Sequence, residues 1–233
     1  RGEFRCSLTN DNRGGPGDAA ITHSDNFAYT IENLLTFDKE VFSDQNLKVT
    51  LLQSVQSSRT EIAQASTTGI PYESQKFFNL GSAANRNVAS RLTEWTLASF
   101  MGRLNYDIGG KYLFQASLRA DGSSRLAEGN KWNYFPGASI GWRMSEEQFL
   151  ADTSVSQLML RASYGEVGNT SVNPYQTAGR LGSIPYAWGE DGVLGFGLSE
   201  IPNTNLGWEV SKTVDVGLDF GLFNGRVSGT VDW

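Results

Sequence analysis

The sequence predicts an all-β chain: an antiparallel up-and-down transmembrane β-barrel, present as a partial wall of about eight strands with long extracellular loops. Three observations predict it. Apolar residues recur at every second position, and helical periodicity is nearly absent. Each alternating run is close to the roughly 9–11 residues that a tilted strand needs to cross a bilayer. Short turns fall on one edge and longer loops on the other, with one medium turn, Ser145–Ser156, as the exception, as in outer-membrane barrels with tight periplasmic turns and long external loops. No run of roughly 18 apolar residues marks a transmembrane helix, but barrel strands give weak hydropathy signals.

The runs in order are Asn26–Asp38, Leu47–Gln56, Trp95–Tyr106, Lys111–Asp121, Asn133–Met144, Gln157–Tyr164, Thr213–Leu222 and Arg226–Trp233. Their apolar faces include Phe27, Tyr29, Leu35, Leu51, Phe100, Phe114, Leu118, Ile140, Trp142, Leu160, Tyr164, Val216, Phe220 and Val231. The opposite faces carry Glu32, Asp38, Lys48, Arg103, Lys111, Arg119, Asp121, Arg143, Arg161, Asp215, Asp219, Arg226 and Asp232. A lumen-facing role follows for Arg103, Arg119, Asp121, Arg143, Arg161, Asp215 and Asp219, because arginine or lysine facing lipid near the midplane costs about 2–4 kcal/mol. Ser57–Glu94 and Gly165–Lys212 read as very long external loops, and residues 1–25 as loop or a poorly determined N-terminal segment. The first hairpin raises a special case. Asn33 and Gln53 fall on the apolar stripe, where they either hydrogen-bond across the strands or meet water at the headgroup level.

Two turns fix register. Asn224-Gly225 is the strongest short hairpin signal, a type I′ turn that sets Leu222 opposite Val227 and Phe220 opposite Gly229. Ile108-Gly109-Gly110 reads as a three-residue loop with Asp107 facing Lys111 and Tyr106 facing Tyr112. That tyrosine pair suits an interfacial girdle or ordinary cross-strand packing.

Composition removes several function classes. The 233 residues carry a net charge of −6, which argues against the basic face that nucleic acid requires. One cysteine, Cys6, permits no intrachain disulfide, and one histidine, His23, leaves little for a histidine-built centre. Glu146-Glu147 reads as a charged turn or a first helical turn, since adjacent residues do not face each other. Asp11-Asn12-Arg13-Gly14 lacks the spacing of a calcium loop. Asn169-Thr170-Ser171 is formally a glycosylation sequon. Gly192–Gly197 does not sit between a strand and a helix, as a phosphate cradle would. No catalytic site, metal site or cofactor is expected. Both ends stop without a signal peptide or closing strand, so the chain reads as a piece of a longer one.

The motifs resemble a known family. Arg119-Ala120-Asp121-Gly122-Ser123-Ser124-Arg125 followed by Trp132-Asn133-Tyr134-Phe135-Pro136 is similar to the "RxDGSSRF…WGYFPS" block of SusC/RagA-type TonB-dependent outer-membrane transporters. Trp142-Arg143, Glu147–Leu150, Leu160–Gly165 and Gly168-Asn169 follow at that family's spacing. Asn203 to Trp208-Glu209 resembles "NxxLxWE", Val216–Gly221 with Asn224–Arg226 resembles "GLDFGLFNNR", and Glu32–Lys39 resembles "ENLLTYDK". Leu126 and Gly137 depart from the pattern, where Phe and Ser are usual.

The resemblance covers residues 26–233 and implies a TonB-dependent receptor barrel of about 22 strands with a plugged lumen. Plug, TonB box and final strands are not seen. It further implies import of oligosaccharides or peptides with a SusD-like lipoprotein, energised by TonB-ExbB-ExbD. No bond would be made or broken. The external-loop aromatics Tyr175, Tyr186 and Trp188 are candidate ligand contacts, or pack against neighbouring loops or the lid protein. The rival readings are a soluble carbohydrate-binding β-sandwich and a small self-closing outer-membrane barrel.

Overall fold

The computed structural model describes residues 2–5, 17–71, 73–151, 153–189 and 191–233. Cys6 and the Asp11–Gly14 stretch lie outside the described residues. Eleven strands form: β1 (Gly2–Arg5), β2 (Gly17–Phe42), β3 (Gln45–Ile70), β4 (Asn85–Ile108), β5 (Tyr112–Ser123), β6 (Trp132–Arg143), β7 (Val155–Asn169), β8 (Arg180–Trp188), β9 (Asp191–Glu200), β10 (Glu209–Leu222) and β11 (Val227–Asp232). Nine of them make one sheet in the order β1-β2-β3-β4-β5-β6-β7-β10-β11, and β8-β9 is a separate hairpin. Every expected strand falls in one of the nine. The soluble sandwich does not survive, because among the described residues no second sheet covers the apolar face. Phe100, Leu118, Ile140 and Val214 stay 52%, 52%, 58% and 65% exposed.

Three expectations need correction. Ser57–Glu94 is not a long loop: β3 runs to Ile70 and β4 starts at Asn85, so only residues 71–84 connect them. Apolar alternation requires one dry face, and the Ser- and Thr-rich stretch after Gln56 has none. Its β-branched residues Thr60, Ile62, Thr67, Thr68 and Ile70 were the available strand signal. Likewise Gly165–Lys212 is not loop throughout, since β7 reaches Asn169, β10 starts at Glu209, and β8-β9 stands between them. Residues 1–25 hold β1 and the start of β2.

The third correction concerns the β4-β5 turn. Ile108 pairs with Tyr112 and Tyr106 with Phe114, so each partner on β5 lies two residues along from the expected Asp107–Lys111 and Tyr106–Tyr112 pairs. The loop is Gly109-Gly110-Lys111, with both glycines at positive φ, a conformation that glycine adopts freely. Asp107 Oδ1 accepts the Gly110 amide at 2.8 Å, and Arg143 Nη1 on β6 donates to the Gly110 carbonyl at 2.6 Å. These bonds place the turn.

The β10-β11 hairpin matches its expected register, with Leu222 opposite Val227 and Phe220 opposite Gly229. A Cβ on Gly229 would sit 2.7 Å from Phe220 Cζ, so the ring lies over bare backbone. Asn224 and Gly225 take the positive φ of a type I′ turn, and Phe223 joins them.

The chain divides into two compact units. The first comprises residues 1–29 and 57–95. Its small core is Ala19, Ile70 and Ala83, with Phe77 and Leu80 packed against it. The second comprises residues 30–56 and 96–233 and contains the polar wall, the loop lock and the Asn33–Gln53 pair described below.

Candidate functional site: a polar wall and a loop lock

Register across β4, β5, β6, β7 and β10 sorts side chains into two faces, because neighbours in a ladder share a face. One row is Arg103–Ser117–Gly137–Gly165–Thr213, and the next is Asn105–Gln115–Ser139–Ser163–Asp215. A third runs Asp107–Leu113–Gly141–Arg161–Gly217–Asp232. Arg119 and Asp121 on β5, Arg143 on β6 and Asp219 on β10 stand on the same face. Phe100, Phe114, Trp142 and Phe220 occupy the other. Glu32, Asp38 and Lys48 alternate with the apolar residues of β2 and β3, whereas Lys111 and Arg226 lie in turns. Glu166 and Lys212 break the pattern near the outer strand ends, and they neutralise each other at 3.0 Å.

Arg119, Asp121, Arg161, Asp219 and Asp232 of the polar face are paired. Arg119 Nε donates to Asp121 at 2.8 and 2.9 Å, and its Nη2 donates to Ser99 at 3.0 Å. Arg161 donates to Asp219 at 2.7 and 3.2 Å and to Asp232 at 2.7 Å. Thr230 Oγ1 adds a bond to Asp219 at 2.8 Å. Two hollows open on this face. One, of about 750 Å³, includes Arg103, Arg119, Phe135, Ser163, Trp208 and Asp215 in its lining. The other, of about 570 Å³, includes Asp38, Asn105, Gln115, Ser139 and Arg161. Such a surface can hydrogen-bond a polar solute in many orientations. It offers no nucleophile–base pair, and no cluster of potential metal ligands occurs among the described residues.

Most of the family-motif residues meet around the β5-β6 connection, while Trp142 stands at the other end of β6. Asp121, Ser123, Leu126, Ala127 and Phe135 are buried around the β5-β6 connection. Ser124 N donates to the Thr96 carbonyl and Thr96 N donates back to Ser124 Oγ, at 3.0 and 2.8 Å. Four further bonds tie this connection to the β7-β10 segment, one of them from Asn130 Nδ2 to the Asn205 carbonyl at 3.2 Å. Arg125 Nη1 donates to the Thr170 carbonyl at 3.3 Å. Ala127 N donates to the Leu206 carbonyl at 3.0 Å. Trp208 Nε1 donates to the Lys131 carbonyl at 3.0 Å. Phe135 and Trp208 pack edge to face at 5.3 Å, over Gly168, where a Cβ would lie 2.1 Å from Phe135 Cζ. Asn169 Nδ2 donates to Glu209 Oε2 at 3.1 Å, closing the lock between β7 and β10. Pro136, Gly122 and Trp132 sit on the opposite face of this region. Burial holds the Arg125 guanidinium below its ordinary pKa.

Glu147, read from sequence as part of a charged turn, is the hub of a second cluster. It accepts Tyr112 Oη at 2.6 Å, Trp142 Nε1 at 3.2 Å and Lys111 Nζ at 3.3 Å. Tyr112 and Trp142 stack, with centroids 6.4 Å apart. The tyrosine hydrogen bond, then that from Trp142, holds the Glu147 carboxyl below its ordinary pKa. A depressed carboxyl pKa stabilises the fold at neutral pH, and the contribution is lost as pH falls through the folded value. We therefore expect Glu147→Gln to destabilise the full-length barrel at neutral pH and to match wild type in acid. Urea unfolding across that range checks this; a deficit that does not change with pH contradicts it.

Asn33 Nδ2 donates to Gln53 Oε1 at 2.7 Å, so the cross-strand amide pair forms. Each single leucine substitution is expected to cost about 1–3 kcal/mol, the penalty of a stranded polar group. The double substitution should recover much of it. A double-mutant cycle in the full-length barrel measures this, and additive losses would disprove the coupling.

The expected loop aromatics belong to the β7-β8 connection and to β8. Tyr175 lies in the β7-β8 connection at positive φ. The Tyr186 ring packs within the β8-β9 hairpin, where a Cβ on Gly195 would be 2.7 Å from it. Trp188 ends β8 opposite Asp191. His23 forms an exposed pair with Asp25 at 2.8 Å.

Comparison with known proteins agrees with this architecture. Residues 4–233 match the family model "TonB dependent receptor-like, beta-barrel". TonB-dependent receptor P3 of Formosa agariphila is 35% identical over the whole chain, which spans 23% of that protein. TonB-dependent receptor SusC of Bacteroides thetaiotaomicron is 36% identical over 63% of the chain and 15% of its own length. Among solved structures, the RagAB peptide transporter superposes with a TM-score of 0.86 at 22% identity, over 99% of this chain and 26% of that one. The chain thus spans about a quarter or less of these proteins, and it belongs to the TonB-dependent receptor β-barrel family.

Proposed function

We propose that this segment forms part of the wall of an outer-membrane importer, with its aromatic face to lipid and its paired charges to the lumen. The observation that carries this reading is the segregation of charge to one face of an open, single-layer sheet. Spacing of the aromatics supports it. On the apolar face, Tyr112 stacks with Trp142, while Trp132 pairs with Gly122 and stacks on Phe100. Tyr112 and Gly122 are ten residues apart on β5, about 33 Å along a strand. At a strand tilt of about 35–45° that is near the roughly 25 Å height of an outer-membrane apolar band between aromatic girdles.

The cargo in this reading is an oligosaccharide or peptide. It is handed over by a SusD-like lipoprotein and drawn in by the TonB-ExbB-ExbD complex, through parts of the receptor outside this segment. Small polar residues between paired charges suit such cargo, since they hydrogen-bond it without holding it. Tyr175, Tyr186 and Trp188 stand on the external side as ligand or lid contacts. The test is uptake. Deleting the receptor should abolish import of one oligosaccharide or peptide pool, and loss of TonB or collapse of the proton gradient should do the same. Uptake unchanged by either would overturn the proposal.

A further inference from the structure

The lipid-side face is not uniformly convex. A groove of about 710 Å³ crosses β2 to β6, walled by Leu35, Leu51, Phe100, Leu118 and Tyr134, with Gly102 in its floor. On β5 it lies at Leu118, between the Tyr112 and Trp132 girdle levels. The groove also includes Asn33 and Gln53. Their mutual bond uses one N–H and one carbonyl, and the remaining amide groups have further donors and acceptors to satisfy. A plain hydrocarbon chain fills the groove but leaves that capacity unmet, which is costly in an apolar medium. A hydroxyl both donates and accepts, so it answers an amide pair of either orientation.

We infer that this groove holds the acyl chain of a bilayer amphiphile bearing a hydroxyl on that chain, with the Asn33–Gln53 pair binding the hydroxyl. The inference rests on the proposed orientation of the apolar face toward lipid. Gly102 is what keeps the groove open: a Cβ there would meet only Leu51 Cδ2, at 3.8 Å. A larger side chain at this position therefore fits the strand and occupies the space of the acyl chain.

The test places the full-length receptor in phosphatidylcholine nanodiscs doped equally with N-myristoyl and N-(β-hydroxymyristoyl) forms of one amphiphile. Native mass spectrometry then counts what each released receptor retains. Wild type should keep the hydroxylated form about fivefold over the plain one, the factor supplied by one net hydrogen bond of ordinary strength. The double variant Asn33→Leu/Gln53→Leu should keep both forms equally, and Gly102→Leu should keep neither. Equal retention by wild type overturns the inference without recourse to any variant. So does undiminished retention by Gly102→Leu, or a receptor dimer carrying no amphiphile, which would mean that a second chain covers the groove. A receptor that cannot enter nanodiscs overturns the lipid-facing orientation as well, so the two failures are distinguishable.

Discussion

Ile140→Arg should destabilise the bilayer-inserted full-length barrel by about 1–3 kcal/mol, the cost of an arginine facing lipid between the midplane and the Tyr112–Trp142 girdle. Ile140 stands between Phe114 and Ala162 in its ladder row and is 58% exposed, so the new side chain has no protein partner to accept its charge. Its neighbour Ser139 supplies the control. Ser139 shares a row with Gln115 and Ser163 on the polar face, and Ser139→Arg should change stability by no more than about 0.5 kcal/mol. Urea unfolding of both variants after refolding into lipid vesicles reads the difference. Equal costs would mean that both faces meet the same solvent, and a reversed order would mean that the faces are exchanged.

Gly168→Val should break the loop lock. Its Cβ would lie 2.1 Å from Phe135 Cζ and 2.8 Å from Trp208 Cε3, and neither ring is free to yield. Phe135 is only 4% exposed, and Trp208 is held by the Lys131 carbonyl. Overpacking of this kind costs about 1–3 kcal/mol. Because the lock joins the β5-β6 connection to the segment bearing β8-β9, that segment should also become more susceptible to limited proteolysis. Gly225 provides the contrast, since substitution there disturbs a turn and not the lock. Unchanged proteolysis of the β7-β10 segment in Gly168→Val would show that the lock does not position it.

What could be read from the sequence follows from where water is excluded. Alternation in β4 to β7 and in β10 was legible because one face is denied charge, and Asn224-Gly225 fixed its hairpin because few residues adopt positive φ. The amide pair was legible for the same reason, since two polar residues on an apolar stripe stand out. The extensions of β2, β3 and β4 were hidden because Ser- and Thr-rich strands outside an apolar environment need no alternation. The β4-β5 register depended on Arg143, a residue of another strand. The lock was recognisable as a set of family motifs but not as a contact. Its decisive acceptors are the backbone carbonyls of Lys131, Thr170 and Leu206, which leave no mark on residue type. Glu147 was passed over because its partners Tyr112 and Trp142 lie on other strands or across a turn.

The central claim is that the aromatic face meets lipid and the charged face meets water. Cysteine scanning along β5 tests it most directly, in the full-length receptor with Cys6 replaced by serine. Single cysteines at Leu113, Gln115, Ser117 and Arg119 should react with a water-soluble maleimide, and those at Phe114, Ala116 and Leu118 should not. Reactivity that fails to alternate, or that favours Phe114, Ala116 and Leu118, would contradict the account.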